Sequence, residues 1–420
     1  MKHVLALRCT ICGERYSPEE VDYVCPNHGD DGNLDVEYDY DAVRAALDLT
    51  NETRRDMWRY KPLMPIDADA PVPPLSVGGT PFYQRESLAK QLGIGDLWIK
   101  DDGRNPTASL KDRASAMLVA KAVHDGRDTI TTASTGNAAA ALAGLSASVR
   151  LPAVIFVPHT APEAKITQLL VYGAHVMLVE GSYGDAFHLT LEAMREYGWY
   201  CRNTGFNPYT VEGKKTVSYE ICEDLAGQPG QFSAPDAIFV SVGDGNIISG
   251  VHKGLRDLKA LGFIDRVPRL MGVQAEGSAA IAKAWAAGID PLHMEPVKAK
   301  TVADSIAAAD IPADRIKATN AVRDTGGAYV TVSDDQILAA IPALARDTGV
   351  FAEPAGAAAY AGLQKAIAEK QVGPSDRVVV IVTGNGLKDI ASARRAAGEA
   401  HNVQPNLDSV KSVVDKILAK

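Results

Sequence analysis

From about residue 95 onward, short apolar runs rich in β-branched residues alternate with longer stretches whose apolar positions recur at helical spacing. LWIK, TITTAS, AVIFVP, HVMLVE, WYCRN, AIFVSVG, RLMGVQAEG, YVTVS and RVVVIVTG are the strand candidates. AAAALAGLSASV, APEAKITQLLVYG and AFHLTLEAMREYG represent the helical stretches between them. Strands alternating with helices predict an α/β protein whose parallel sheets are flanked by helices on both faces. Nine strands are more than one compact sheet usually holds, which predicts two open twisted sheets with a cleft between them.

The rest of the chain reads differently. Residues 39–75 predict one helix, DAVRAALDLT, followed by a proline-rich connection, KPLMPIDADAPVPP. The expected division is a small leading domain at 1–38, a larger α/β domain from 39–115 plus 206–400, a smaller α/β domain at 116–205 and a C-terminal helix at 401–420. The leading segment holds three of the five cysteines, Gly-Asp turn clusters and an alternating strand, LDVEYDY. Cys9-x2-Cys12 and, twelve residues later, Cys25-x2-His28 form two knuckles that can surround a tetrahedral zinc ion. Reduced, unligated cysteines in a small hairpin domain are the alternative. Cys201 and Cys222 fall in a strand and a helix and are expected to be buried packing residues. An odd cysteine count in so long a chain does not suggest a disulfide framework.

Composition narrows the function classes. Of 420 residues, 46% are hydrophobic and 23% charged, which is ordinary for a soluble globular protein. A net charge of −9 speaks against nucleic-acid or anionic-membrane partners, both of which need a basic field. The start, MKHVLALRCT, carries too short an apolar run for a signal peptide, and no stretch approaches the ~18 apolar residues of a membrane span. The expected location is the cytoplasm.

In parallel α/β sheets, ligands collect at strand-to-helix turns, where free N–H groups face anions. SVGDGNIISG (241–250) can line N–H groups around a phosphate, although Ile248 stands where a dinucleotide fingerprint needs its third glycine. TTASTGNAAAALAG (131–144) crowds Ser134, Thr135 and Asn137 at a helix start, where capping needs only one such group. In VVVIVTGNGLKD (378–389), an apolar strand ends at Thr383 between space-clearing glycines. PTASLKDRAS (106–115) sets Lys111 at the mouth of a helix, where the macrodipole disfavours a cation. A plain turn, a cap, a strand-end threonine and a solvated lysine would account for these segments one at a time.

Together they resemble one family. NPTASLKDR resembles the Asn-Pro-Thr-Gly-Ser-Phe-Lys-Asp-Arg segment of the threonine synthase branch of fold-type II enzymes that use pyridoxal 5′-phosphate (PLP), and STGN, VGDGN and VTGNGLKD follow in that family's order. The N-terminal knuckles and LDVEYDYDAV resemble its small leading, zinc-ribbon-like domain. The resemblance implies a fold-type II architecture whose larger domain binds PLP, with Lys111 holding the cofactor as an imine. Asn137 would bond the phenolic oxygen of PLP, Thr383 would face its pyridine nitrogen, and Gly243, Asp244, Gly245 and Asn246 would cradle its phosphate through backbone N–H groups, with Asp244 turned outward. Ser134 and Thr135 would bind the substrate carboxylate. Asp112 and Arg113 would secure local structure. Relatives commonly form dimers, so a homodimer is expected.

The implied reaction is a carbon–oxygen lyase or synthase step on an amino acid, with Lys111 moving the α-proton and a β- or γ-substituent leaving. O-phosphohomoserine, converted with water to threonine and phosphate, is the leading substrate. The family binds that phosphate with Asn-Ser-x-Asn-Pro-x-Arg-x-Glu-Gly-x-Lys, whereas NTGFNPYTVEGKK (203–215) has Thr210 at the arginine position. Losing a bidentate guanidinium removes a strong phosphate contact, leaving Lys165, Lys214 and His188 as candidates to compensate. A β-replacement enzyme of the cysteate synthase type and an ammonia-lyase acting on a β-substituted amino acid are alternatives. A nucleotide-binding oxidoreductase would leave Lys111 unexplained, and a non-catalytic zinc-knuckle interaction protein would leave the ordered loops unexplained. Asp304 and Ser305 stand where the resembling family often borders its cleft, and a helix start explains them equally well; Glu353, before a proline, reads as a helix-starting acid rather than a catalyst.

Overall fold

The computed structural model describes residues 1–307 and 312–418; the end of the TVADSIAAADI segment and the last two residues of the expected C-terminal helix lie outside them. β1 (Val4–Cys9), β2 (Arg15–Tyr16) and β3 (Leu34–Tyr38) form a small antiparallel sheet in the order β2-β1-β3. β4 (Phe82–Gln84) and β5 (Asp96–Asp101) open a larger sheet. β6 (Ile130–Ala133), β7 (Ala153–Pro158), β8 (His175–Val179) and β9 (Tyr200–Cys201) form a separate parallel sheet in the order β8-β7-β6-β9. β10 (Ala237–Ser241), β11 (Arg269–Ala275), β12 (Ala328–Val332) and β13 (Arg377–Val382) complete the larger one, ordered β12-β11-β10-β13-β5-β4. Its strands run parallel except β4, which pairs antiparallel with β5.

The apolar runs account for this arrangement. Val378 to Val382 of β13 are all fully buried, as a central parallel strand covered on both faces requires. All nine expected strands are present, and both α/β sheets have the parallel pairing that their alternation with helices predicts. β4 falls outside the pattern because it is a three-residue edge strand with no fully buried position. The apolar run near the start of the sequence forms β1.

The helix Lys111–His124 runs unbroken across position 115, the expected domain seam, and packs against the helices Tyr209–Lys214 and Asn137–Ser148. It therefore lies between the two sheets and carries Lys111 at its cleft end. The leading sheet is anchored to the α/β body by buried polar contacts. Tyr38 donates to Glu212, and the Asn33 amide donates to the Ala313 carbonyl at 2.7 Å. The helix Leu407–Leu418 has no buried residue. No helix among the described residues is long and apolar enough to cross a membrane.

Candidate active site

Lys111 is placed by its neighbours. Arg113, two residues on and fully buried, donates to Asp102 at 2.6 Å and to Glu220 at 2.6 Å. The Asp112 carboxylate accepts the Thr107 N–H at 2.6 Å and the Thr107 hydroxyl, closing the turn before the helix. Burial raises the Asp112 pKa to about 6, an effect that the Thr107 hydrogen bonds oppose. Ala108 adopts φ +66° where the resembling segment has glycine, a left-handed conformation that costs an L-residue about 1–2 kcal/mol. Bonds from Ala108 N–H to Asn105 O (2.8 Å) and from Asn385 N–H to Ala108 O (3.1 Å) hold it there. The expectation that Asp112 and Arg113 serve local structure agrees with this geometry.

The Lys111 amine itself is half-buried and has no hydrogen-bond or ion-pair partner among the described residues. Burial pushes its pKa down, an effect that Asp244 partly offsets, Arg202 reinforces and Glu353 opposes. Thr383 lies alongside, since its carbonyl accepts the Leu110 N–H at 2.9 Å and Ser109 bridges Gly384. The Thr383 side chain is buried, and its hydroxyl has no partner among the described residues.

Two helix N-termini are linked to this amine, one through Asp244 and the other through Asn137, which bonds Glu353. The helix Asn246–Ala260 starts after β10 through Gly243 and Gly245. A Cβ on Gly243 would come within 2.9 Å of Ile306 Cα, and Gly245 has φ +95°, so neither position accepts a larger residue without strain. The N–H groups of Gly243, Asp244 and Gly245 have no partner among the described residues. The helix Asn137–Ser148 starts after β6 without a side-chain cap, leaving the N–H groups of Asn137, Ala138 and Ala139 equally free. Ser134 and Thr135 flank that start, and the Ser134 hydroxyl accepts the Gly136 N–H at 3.2 Å. Free N–H groups at helix starts form anion sites.

Asp244 departs from expectation. It is half-buried, and its Oδ1 accepts the Asn246 N–H at 3.0 Å instead of facing solvent. Asp244 acts on Lys111, Lys214 and Arg202, and it sits at a helix start where negative charge is favoured. The Asn246 side chain is also committed, accepting from Lys214 at 2.5 Å and donating to Asp314 at 2.7 Å and Thr210 at 3.2 Å. Burial pushes the Lys214 pKa well down, and Lys111 adds to the effect.

The opposite wall holds residues that spacing alone marks as ordinary helix starts. The Asn137 amide donates to Glu353 at 2.7 Å and to Ser305 at 3.3 Å, joining the smaller sheet's helix to the larger domain. Burial raises the Glu353 pKa, and Lys388 is the foremost opposing influence. Lys165 is paired with Asp304 across the cleft, and His188 lies exposed on its helix, so neither is a free cation in the cluster. Arg202, which belongs to none of the motifs, is buried beside Lys111 and Lys214. It stands one residue before the NTGFNPYTVEGKK stretch that lacks the arginine.

These features fit PLP. An unpartnered lysine amine, a glycine cradle that a Cβ would fill, and two buried hydroxyls with no partner among the described residues, Ser109 and Ser241, leave donors for a phosphorylated ring. A second cluster lies apart from the cleft. Ligand atoms of Cys9, Cys12, Cys25 and His28 all fall within 4.8 Å of one another, and the Cys12 and Cys25 sulfurs are 3.9 Å apart.

Comparison with known proteins agrees with the geometry. A family described as pyridoxal-phosphate dependent enzyme matches residues 74–384. The threonine synthase of Methanosarcina acetivorans is 37% identical over 97% of this chain and 98% of its own length. That of Methanocaldococcus jannaschii is 34% identical over 98% and 99%. A solved threonine deaminase isoform from Solanum lycopersicum shares the fold at a TM-score of 0.63, with 23% identity over 76% of this chain and 83% of that one.

Proposed function

Because the chain belongs to the pyridoxal-phosphate dependent enzyme family and is a threonine-synthase-like member of it, we propose that it converts O-phosphohomoserine and water to threonine and phosphate. The observation that carries the reading is the Lys111 amine, unpartnered among the described residues, in a cluster with two helix starts that keep free N–H groups, one start for each anion of a cofactor–substrate pair. In this reading the N–H groups of Gly243, Asp244, Gly245 and Asn246 would hold the cofactor phosphate, that of Asn246 in exchange for its bond to the Asp244 carboxylate. Asn137 would serve the phenolic oxygen in exchange for its bonds to Glu353 and Ser305, and Thr383 would serve the ring nitrogen, where a neutral hydroxyl would leave that nitrogen unprotonated.

When bound, PLP supplies an electron sink for charge that develops at the substrate Cα. The protein supplies the rest. Ser134, Thr135 and the free N–H groups after them hold the substrate carboxylate. The Lys111 amine would take the α-proton. Its depressed pKa keeps more of it in the neutral, basic form near pH 7.

The test is a substrate screen on the purified holoenzyme. Phosphate release and threonine formation from O-phosphohomoserine, without turnover of serine, are the expected result. Keto acid and ammonia from β-substituted amino acids, with no phosphate from O-phosphohomoserine, would replace this reading with an ammonia-lyase. Sulfite-dependent turnover of phosphoserine would replace it with a β-replacement synthase.

We further propose that Cys9, Cys12, Cys25 and His28 hold a structural zinc ion. The 3.9 Å sulfur separation supports this, since Zn–S bonds of about 2.3 Å at tetrahedral angles put ligand sulfurs roughly 3.8 Å apart. Metal analysis should find about one zinc per chain, and a Cys9→Ser, Cys12→Ser variant should lose it together with part of its thermal stability. Equal metal content in the two proteins would end the proposal.

A further inference from the structure

We propose that Arg202 grips the anionic leaving group of the substrate, a phosphate monoester, and so sets the enzyme's preference for it. The inference rests on the threonine-synthase reading and names the residue that recognises the phosphate.

Arg202 is 1% exposed, yet no carboxylate among the described residues is in contact with it. Its Nε donates to the Ser115 hydroxyl at 3.4 Å and one terminal nitrogen donates to the Thr204 hydroxyl at 2.7 Å. The other terminal nitrogen, also buried, has no partner among them. A guanidinium in such a setting is costly unless an anion completes it. The next residue repeats the pattern. Asn203 Oδ1 is fixed by the Ala133 N–H at 2.8 Å and the Thr132 hydroxyl at 3.0 Å, while its amide nitrogen is buried and has no partner among the described residues. Unsatisfied donors on consecutive residues, beside a helix start and within the field of Lys111, describe a preformed anion subsite.

The neighbouring cations have other commitments. Lys214 is bonded to Asn246, Lys165 to Asp304, and Lys111 is reserved for the cofactor. Burial brings the Arg202 pKa down to about 10, which leaves the group charged near neutral pH. The loop also accounts for the missing arginine at position 210. The Asn207 amide donates to the Cys201 carbonyl at 2.8 Å, and the Asn207 N–H to the Asn203 carbonyl at 3.0 Å, folding 201–203 back against 207. The Thr210 hydroxyl donates to the Asn207 carbonyl at 2.9 Å. Positions 202 and 210 therefore flank one closed turn, and both lie close to the Lys214–Asn246 pair, Thr210 by its bond to Asn246 and Arg202 through its charge on Lys214.

The experiment measures O-phosphohomoserine kinetics and competition by inorganic phosphate in wild-type, R202Q and R202K holoenzymes, with cofactor absorbance and thermal unfolding as checks on folding. R202Q should raise KM for O-phosphohomoserine about 10–100-fold and weaken phosphate inhibition by a similar factor, with kcat changed only a few-fold. R202K, which keeps the charge and loses the fork, should fall between. If R202Q does not fold, the R202K shift decides. KM and phosphate inhibition within about twofold of wild type in the folded variants would overturn the inference and leave the reading intact. A wild-type enzyme that releases no phosphate from O-phosphohomoserine would overturn both.

Discussion

Lys111→Ala will abolish turnover while leaving the fold intact. The position is half-buried, carries no hydrogen bond or ion pair among the described residues, and loses an uncompensated amine on truncation, so stability should hold or rise slightly. Activity is a different matter. Loss of the proton transfer alone should reduce kcat/KM about 10²–10⁴-fold, and loss of the covalent hold on the cofactor adds to it. Borohydride reduction of the wild-type holoenzyme should fix the cofactor to the peptide bearing Lys111, whereas the variant should yield no such peptide. Small primary amines should restore part of the Lys111→Ala rate, since they bring back a base without the tether. Arginine at 111 should restore none, because its guanidinium stays protonated. Trapping at another lysine, or normal turnover in the alanine variant, would refute the assignment.

How much of this is legible in the residues depends on whether a signal is local. β13 can be read directly because five consecutive aliphatics, all buried, suit a central parallel strand and little else. Gly243 and Gly245 can be read because only glycine fits those backbones. Asn137 is legible as a helix start, but its partners Ser305 and Glu353 come from segments 168 and 216 residues away, and spacing carries no trace of that contact. The surroundings of Asp244 are hidden for the same reason, since the cations it acts on, Lys111, Lys214 and Arg202, come from three separate stretches. Arg202 itself carries one local signal, an arginine following the short apolar strand Tyr200–Cys201 at a site-facing strand end.

The second large effect concerns Arg113, whose role is to position Lys111. Arg113→Met removes a fully buried cation and leaves Asp102 and Glu220, 0% and 4% exposed, facing each other without it. Breaking a buried pair by deleting one partner costs about 3–5 kcal/mol, a large share of the stability of a typical domain. Lys100, 2.8 Å from Glu220, offsets part of the loss but makes no hydrogen bond to Asp102. The exposed pair Lys411–Asp408 provides the contrast, since its removal should cost no more than about 1 kcal/mol. The dependence on pH identifies the cause. Burial alone would raise the Glu220 pKa, but Arg113 and Lys100 outweigh it and hold the group below the usual carboxylate range. In the wild type this contribution is therefore present above the unfolded carboxylate pKa of about 4.3 and fades as pH falls below it. In the variant only Lys100 still opposes the effect of burial on Glu220, so the loss is greatest near neutral pH and relaxes on protonation. Denaturant unfolding at several pH values should show the gap between the two proteins widest near pH 7 and narrowing below about pH 4. A gap that does not change with pH would mean that Arg113 contributes packing rather than charge, and that the helix mouth holding Lys111 is fixed by other contacts.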